Sequence, residues 1–153
     1  MTRTYLIGAA ALGSLALLLG AWGFQALGYA PCQMCIWQRY PHGAAAGIGL
    51  IALLVPLTIL PLLGALAALT TGGIGVFHTG VERGWWEGPS SCSAGDIGNL
   101  STEDLMAQIM SAPLVRCDEV AWELLGLSMA SWNAVLSFGL AGVWFVAYML
   151  RTP

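Results

Sequence analysis

The segment PCQMCIWQRYPH (31–42) contains two cysteines, Cys32 and Cys35, with two residues between them. If a helix begins here, its unpaired backbone N–H groups and its dipole stabilise a thiolate, which makes a cysteine at this position reactive. The spacing also places the two sulfur atoms within reach of a disulfide. The segment can therefore form a redox centre, a metal site or a structural disulfide.

Arg39 and His42 share a helical face with these cysteines, because positions 32, 35, 39 and 42 follow steps of three and four residues. Pro41 either kinks such a helix or marks its start, which weakens the prediction of a shared face but keeps Arg39 close to Cys35. An arginine at the edge of a membrane is costly and indicates a functional site, where its donors could hold an oxygen of a lipophilic ligand. In the alternative interpretation, Arg39 extends to the lipid headgroups.

A second cysteine pair, Cys92 and Cys117, lies in the polar part of the chain. A disulfide between them would be either a structural link or, in a flexible loop, an exchange-prone bond. We expect the polar loop to supply an exposed, flexible pair. Two pairs on one side of a membrane would then indicate a relay of thiol–disulfide exchange.

Metal chemistry is less well supported by the spacing of the cysteines. A four-cysteine zinc site usually has two close ligand pairs, and the second C-x-x-C pair is missing here. Ile36 follows Cys35, where covalent c-type haem requires a histidine. His78 lies four residues before Glu82, so the two could bind a metal or a ligand oxygen. A helix cap and a hydrogen bond are the more common roles for such a pair.

The composition indicates a membrane protein in contact with the lipid bilayer. Of the 153 residues, 58% are hydrophobic and 8% are charged, whereas soluble domains contain about 25% charged residues. All eight acidic residues fall between Glu82 and Glu123, and there is no lysine. Because the chain has no basic patch, we expect no nucleic-acid partner.

Four apolar stretches are long enough to cross a bilayer core of about 30 Å as helices. The first is expected to be a retained helix and not a cleaved signal peptide, because the uncharged stretch 4–30 is longer than a signal core of about 7–15 residues. Pro56 and Pro61 divide the second apolar region into two spans. The predicted spans are about residues 5–27, 36–55, 60–77 and 131–150.

The expected fold is a single all-α membrane domain, a four-helix transmembrane bundle over residues 1–153. Arg3 and Arg151 favour a cytoplasmic position for both termini. All four cysteines then lie on the opposite side, where an oxidising compartment lets them pair. The loops on that side are about 28–35 and 78–130, and the longer one carries a short amphipathic helix at 101–110.

These features together resemble the DsbB family of bacterial inner-membrane disulfide-forming oxidoreductases. The resemblance covers nearly the whole chain: four spans, the C-x-x-C-x-x-x-R pattern from Cys32 to Arg39, and a long loop with two cysteines. Further similar stretches are HTGVERGWWEGPSSC (78–92) and WELLGLSMASWN (122–133). The combination is specific, although C-x-x-C alone would not be.

The resemblance implies that all four cysteines are catalytic and face the periplasm of a bacterial inner membrane. A reduced periplasmic thiol oxidase of the DsbA type would attack Cys92 and form a mixed disulfide. Cys117 would be released and would attack Cys32. Cys35 would then face a quinone from the membrane pool and donate two electrons to it. Such a DsbA–DsbB–quinone system keeps the bacterial periplasm oxidising.

The resemblance also implies a quinone cofactor, with ubiquinone as the first candidate, and no metal. Arg39 would hold a quinone oxygen, and His42 and His78 are further candidate ligands. The DsbB family therefore predicts a quinone-dependent protein disulfide oxidoreductase.

Two other interpretations remain open at this point. Reductases similar to vitamin K epoxide reductase also relay electrons between loop cysteines and a quinone, but their C-x-x-C lies late in the chain. A four-span scaffold with purely structural disulfides would leave Arg39 unexplained. It also predicts that Cys35→Ser would harm folding without a redox defect.

Overall fold

The computed structural model describes residues 2–92, 101–111 and 115–150. These residues are mostly helical, which confirms the predicted fold class at this level. An antiparallel hairpin of two short strands, which the sequence analysis did not predict, directly precedes the last helix. The elements are α1 (Arg3–Ala26), α2 (Gln33–Leu54), α3 (Leu60–Glu82), α4 (Thr102–Ser111), β1 (Glu123–Leu124), β2 (Leu127–Ser128) and α5 (Met129–Met149).

Three of the described helices, α1, α3 and α5, are long and apolar enough to cross a membrane. α2 is not among these three, although it contains 22 residues and was expected to form the second span. Its first half carries Gln33, Gln38, Arg39 and His42, which lower its mean hydropathy. The residues that could do chemistry are therefore also the ones that weaken the membrane signal of this helix.

α2 begins within the cysteine segment, three residues before the predicted start of the second span at about residue 36. Cys32 is the N-cap residue, and its Sγ accepts a hydrogen bond from the backbone N–H of Cys35 at 3.2 Å. The helix continues through Pro41 to Leu54, so this proline neither begins nor ends it. Both cysteines therefore lie at the N-terminal end of one continuous helix.

α3 extends past the predicted end of the third span at residue 77 and stops at Glu82. The helix ends there because Gly84 adopts a left-handed conformation with φ +67°, which is a common stop just beyond a helix C-terminus. His78 therefore lies in the helix and not in the loop that was expected to begin with it. Residues 93–100 and 112–114 of that loop, and Arg151, lie outside the described residues.

The four long helices pack closely, with α3 against α2 and α5, and α1 against α2 and α5. Small residues permit this packing, which matters because helix association in lipid depends on close contact. A Cβ atom at Gly64 would lie 2.6 Å from the Trp144 ring. At Gly49, it would overlap the Cβ of Ala11.

The bundle has two halves of different composition. The apolar half surrounds the fully buried Trp144, and Arg3 donates to the Leu57 carbonyl at 3.0 Å at this end. The apolar half contains Leu6, Ile7, Ala10, Ala11, Ala52, Leu60, Ala65, Ala68, Ala141, Trp144 and Ala147. The polar half contains the cysteines and the buried side chains of Gln38, His42, Thr71, His78, Ser128 and Ser131, together with Asn133.

Candidate active site

Cys32 and Cys35 are free thiols whose sulfur atoms lie 2.7 Å apart. Cys32 is buried, whereas Cys35 is half-buried. The hydrogen bond with the Cys35 sulfur and, second, burial raise the pKa of the Cys32 thiol above its ordinary value. A thiolate at Cys32 therefore needs hydrogen-bond donors to stabilise it.

Cys92 and Cys117 form a disulfide with a Cα–Cα distance of 5.3 Å. The backbone N–H of Cys117 also donates to the Cys92 carbonyl at 2.6 Å. The expectation of an exposed pair is wrong, because Cys92 and Cys117 are only 1% and 0% exposed. The disulfide is covered because it packs against Val81 of α3 and Met34 of α2.

All four cysteines meet in one buried cluster at the end of the polar half. Its members are Cys32, Met34, Val81, Cys92 and Cys117, with Cys35 and Val115 packed against them. The first pair comes from the start of α2, and the second flanks the segment that contains α4. The fold therefore brings together two pairs that are far apart in the chain.

Arg39 lies at the interface of α2 and α1. Its Nη1 donates to Gln25 Oε1 at 2.7 Å, and its Nη2 donates to the Ala21 carbonyl at 3.3 Å. Its Nε is buried and has no hydrogen-bond partner among the described residues. The guanidinium group therefore turns along α1 and keeps one donor available.

His42 is 3% exposed and lies between α2 and α5. Its Nε2 donates to Asn133 Oδ1 at 2.7 Å. Its Nδ1 is buried without a hydrogen-bond partner in the described part of the chain. A neutral His42 therefore has an unused acceptor.

His78 lies between the two cysteine pairs. Its Nε2 is 3.6 Å from the Cys32 sulfur and 3.9 Å from Glu82 Oε1. Glu82 in turn accepts a short hydrogen bond from the Ser128 hydroxyl. His78 and Glu82 share a helical face, as their spacing predicted, and Glu82 is anchored to the start of α5.

Sequence reasoning missed Gln38 and Asn133, which connect the two histidines. Asn133 Nδ2 donates to Gln38 Oε1 at 2.7 Å, and Gln38 Nε2 lies 2.9 Å from His78 Nδ1. Gln38 could have been found from its spacing, three residues after Cys35 and four before His42. Asn133 could have been noticed as an amide inside a predicted membrane span.

The Sγ atoms of Cys32 and Cys35 and a ring nitrogen of His78 lie within 4.8 Å of one another. Two thiolates and an imidazole can bind a thiophilic metal ion. A four-cysteine zinc site is incompatible with this arrangement, because Cys92 and Cys117 are bonded to each other. Any metal at this place would therefore use the first pair and His78.

A cavity of about 390 Å³ opens beside the first cysteine pair. Its walls are mainly apolar, from α1, α2 and α5, with a few polar side chains. Arg39 contributes a donor without a partner and His42 an acceptor without a partner, as far as the described residues show. Such a cavity fits a flat apolar ligand that carries oxygen atoms. Its polar lining residues include Cys35, Gln38, Arg39, His42, His78, Glu82 and Asn133.

Comparisons with known proteins point to one family. Residues 3–147 match the family model of the disulfide bond formation protein DsbB. The chain is 35% identical to the disulfide bond formation protein B of Verminephrobacter eiseniae over 143 residues, which cover 82% of this chain and 73% of that protein. It is 34% identical to the disulfide bond formation protein B of Pasteurella multocida over 115 residues, or 72% and 65% of the two chains.

An uncharacterized protein of Rickettsia prowazekii is 28% identical over 115 residues, or 71% of this chain and 66% of that protein. The chain therefore spans just under two thirds of the Rickettsia and Pasteurella proteins. No solved structure matches the chain.

Proposed function

The chain belongs to the DsbB family of disulfide bond formation proteins, and on this premise we propose that it reoxidises a periplasmic DsbA-like dithiol oxidase. Two electrons pass from that partner through the two cysteine pairs to a membrane quinone. The observation that supports this proposal best is the single buried cluster of both pairs, next to a cavity of suitable chemistry. A purely structural disulfide would need neither a second pair of free thiols nor the cavity.

The proposed route through the cysteines has the order that the family resemblance implies. A thiolate of the partner attacks Cys92, forms a mixed disulfide and releases Cys117. When Cys32 and Cys35 are oxidised to a disulfide, Cys117 attacks Cys32, and Cys35 leaves as a thiolate. The partner's second thiol resolves the mixed disulfide and releases Cys92, so the partner gains a disulfide and loses two electrons and two protons. Cys92 then attacks Cys117, which restores the Cys92–Cys117 disulfide and releases Cys32 as a thiolate. Because Cys92 is buried, the partner must displace the side chains that cover it.

The cavity residues fit a quinone, which accepts two electrons and two protons and becomes a quinol. Cys35 lines the cavity and is the last sulfur in the proposed order of transfer. Arg39 Nε can donate to a carbonyl oxygen and stabilise negative charge on it. His42 Nδ1 can accept from a quinol hydroxyl. Electron transfer ends when Cys32 and Cys35 form their disulfide again.

The same proposal includes a four-helix transmembrane bundle in a bacterial inner membrane, with α2 as the fourth membrane helix. α2 packs against α1 and α3, and its Gln38 and His42 are buried in the bundle. Arg3 contacts Leu57, so the start of α1 and the α2–α3 turn lie at one end. The termini are cytoplasmic, and the cysteines at the other end face the periplasm.

An anaerobic stopped-flow assay tests this function directly. Purified protein in detergent is mixed with ubiquinone and a reduced DsbA-like protein, and quinol formation is followed. Quinol forms in the wild type and is lost in Cys35→Ser and Cys92→Ser. Ser91→Ala, a change at the exposed neighbour of Cys92, serves as the control with an unchanged rate. A wild type that forms no quinol and keeps both pairs inert contradicts the proposal.

A further inference from the structure

A chain of hydrogen bonds between side chains leads from Thr71 to His78 inside the polar half. It starts at the backbone carbonyl of Gln38, which can only accept, and Thr71 Oγ1 donates to it at 3.0 Å. Because the hydroxyl has a single proton, Oγ1 must accept from its other neighbour. That neighbour at 3.1 Å is Asn133, so the atom facing Thr71 is the amide nitrogen Nδ2.

The orientation of Asn133 determines the orientation of Gln38. The second proton of Asn133 Nδ2 goes to Gln38 Oε1 at 2.7 Å, so the other amide atom of Gln38 is the nitrogen Nε2. Nε2 donates one proton to the Met34 carbonyl at 3.1 Å and the other towards His78 Nδ1 at 2.9 Å. Every donor in this series of side chains thus has an acceptor. Reversing Asn133 would place its oxygen against Gln38 Oε1, and reversing Gln38 would place its nitrogen against Asn133 Nδ2.

This arrangement determines the tautomer of His78. Since Nδ1 accepts from Gln38, a neutral ring carries its proton on Nε2. Nε2 lies 3.6 Å from the Cys32 sulfur and 3.9 Å from Glu82 Oε1, so the sulfur is the nearer acceptor for the ring N–H. A nitrogen that carries a proton cannot bind a metal ion. The hydrogen bonds therefore disfavour the three-ligand metal site of Cys32, Cys35 and His78.

We infer that Gln38 is a positioning residue that holds His78 in the tautomer whose Nε2–H donates a hydrogen bond to the Cys32 sulfur. The donor stabilises negative charge whenever Cys32 acts as a thiolate, together with the backbone N–H of Cys35. No proton is transferred in this contact. The opposite tautomer would turn a lone pair towards Cys32 and repel a thiolate. The importance of this contact for turnover rests on the proposed function.

Nitrogen NMR of the two histidines tests the inference. The chain has only two histidines. The spectrum of ¹⁵N-histidine-labelled full-length protein in detergent therefore contains the signals of two imidazole rings. Long-range ¹H–¹⁵N spectra show which nitrogen carries the proton. In the wild type, we expect His78 Nδ1 to be unprotonated and Nε2 to be protonated. Reduction of the Cys32–Cys35 disulfide should shift the His78 Nε2 resonance. A protonated Nδ1, or no shift on reduction, overturns the inference.

Gln38→Glu is the variant that should reverse the arrangement. A carboxylate accepts from Nδ1 in place of donating to it, so His78 Nδ1 gains a proton. Gln25→Glu makes the same chemical change on α1, beside Arg39, and should leave the His78 tautomer unchanged. An unprotonated His78 Nδ1 in Gln38→Glu would contradict the role of Gln38. A protonated Nδ1 in Gln25→Glu would contradict it as well.

The effect of Gln38 on turnover is measured separately in the quinol assay. We expect Gln38→Glu to slow quinol formation by about tenfold to a hundredfold, as for the loss of one hydrogen bond to a charged group. An unchanged rate with a changed tautomer shows that turnover does not use the contact and overturns that part. The NMR result is independent of turnover, so a wild type that reduces no quinone refutes the proposed function without deciding the tautomer.

Discussion

The apolar and polar halves of the bundle consist of the same helices but are held together differently. In the apolar half, small residues let the helices approach one large side chain, Trp144, at the contact with Gly64. In the polar half, amides, imidazoles and sulfur atoms meet in fixed donor–acceptor pairs. Close packing tolerates substitutions of similar volume, whereas a buried polar network loses stability when one member lacks a partner.

The two halves therefore differ in role. The apolar half contributes close packing, and the polar half holds the groups that can do chemistry. Buried polar groups inside a membrane protein are costly, so a half that contains so many is expected to have a function. The following variants test this separation, from the largest expected effect to the smallest.

Cys32→Ser should abolish chemistry without harming the fold. Quinol formation should fall by at least about a thousandfold, because disulfide exchange requires a sulfur at this position for Cys117 to attack. The thermal unfolding midpoint should change little, since serine is a favoured N-cap and can accept the same hydrogen bond. Both quantities are measured in one detergent. A large loss of stability with turnover retained would make this pair structural.

Trp144→Ala should have the reverse effect. Removing this fully buried side chain should lower the free energy of unfolding by about 3–5 kcal/mol. Turnover per folded molecule should stay unchanged, because Trp144 belongs to the apolar half. Denaturant unfolding followed by circular dichroism gives the stability. Trp22→Ala is the matched control, since Trp22 is 51% exposed and should change stability far less.

Arg39→Leu should weaken binding of the quinone. One hydrogen bond to a charged donor contributes about 1.5–3 kcal/mol, so the KM for quinone should rise about tenfold to a hundredfold. The rate of mixed-disulfide formation with the partner should stay the same. Arg3→Leu removes an arginine from the apolar end and should leave this KM unchanged. If the KM for quinone were the same in Arg39→Leu as in Arg3→Leu, the quinone would not bind at Arg39.

Removal of a buried hydroxyl group should have different effects in two environments. Thr71→Val leaves the Gln38 carbonyl and the Asn133 amide each without one partner, so stability should fall by about 1–3 kcal/mol. Ser14 Oγ is buried and has no hydrogen-bond partner among the described residues. Ser14→Ala should therefore be neutral or stabilise by up to about 1 kcal/mol. Equal losses in the two variants would contradict the distinction.

The local parts of the site could be predicted from the sequence. The sequence analysis considered a helix start at the C-x-x-C segment, and Cys32 is the N-cap of α2. The spacing of His78 and Glu82 predicted their shared face. The hydrophobic stretches predicted the approximate positions of the long helices. The predicted end of the third span lies about five residues before the end of α3, and the hairpin before α5 was not predicted.

Contacts between distant residues could not be predicted in the same way. Gln38 and Asn133 are 95 residues apart, and Gln38 and His78 are 40 residues apart. The burial of Cys92 also contradicted the expectation from its polar surroundings in the chain. These properties depend on which helix faces meet, and a single sequence does not record this.

The sequence by itself determined that the chain is a helical membrane protein with two cysteine pairs, since hydropathy and helical period are properties of neighbouring residues. Only the tertiary structure decided that both pairs share one buried cluster and that His78 lies between them. It also brought the side chains from Thr71 to Cys32 within hydrogen-bonding distance of one another. The physical reason is that buried donors and acceptors must be matched in space, and packing of α2, α3 and α5 determines which atoms can meet.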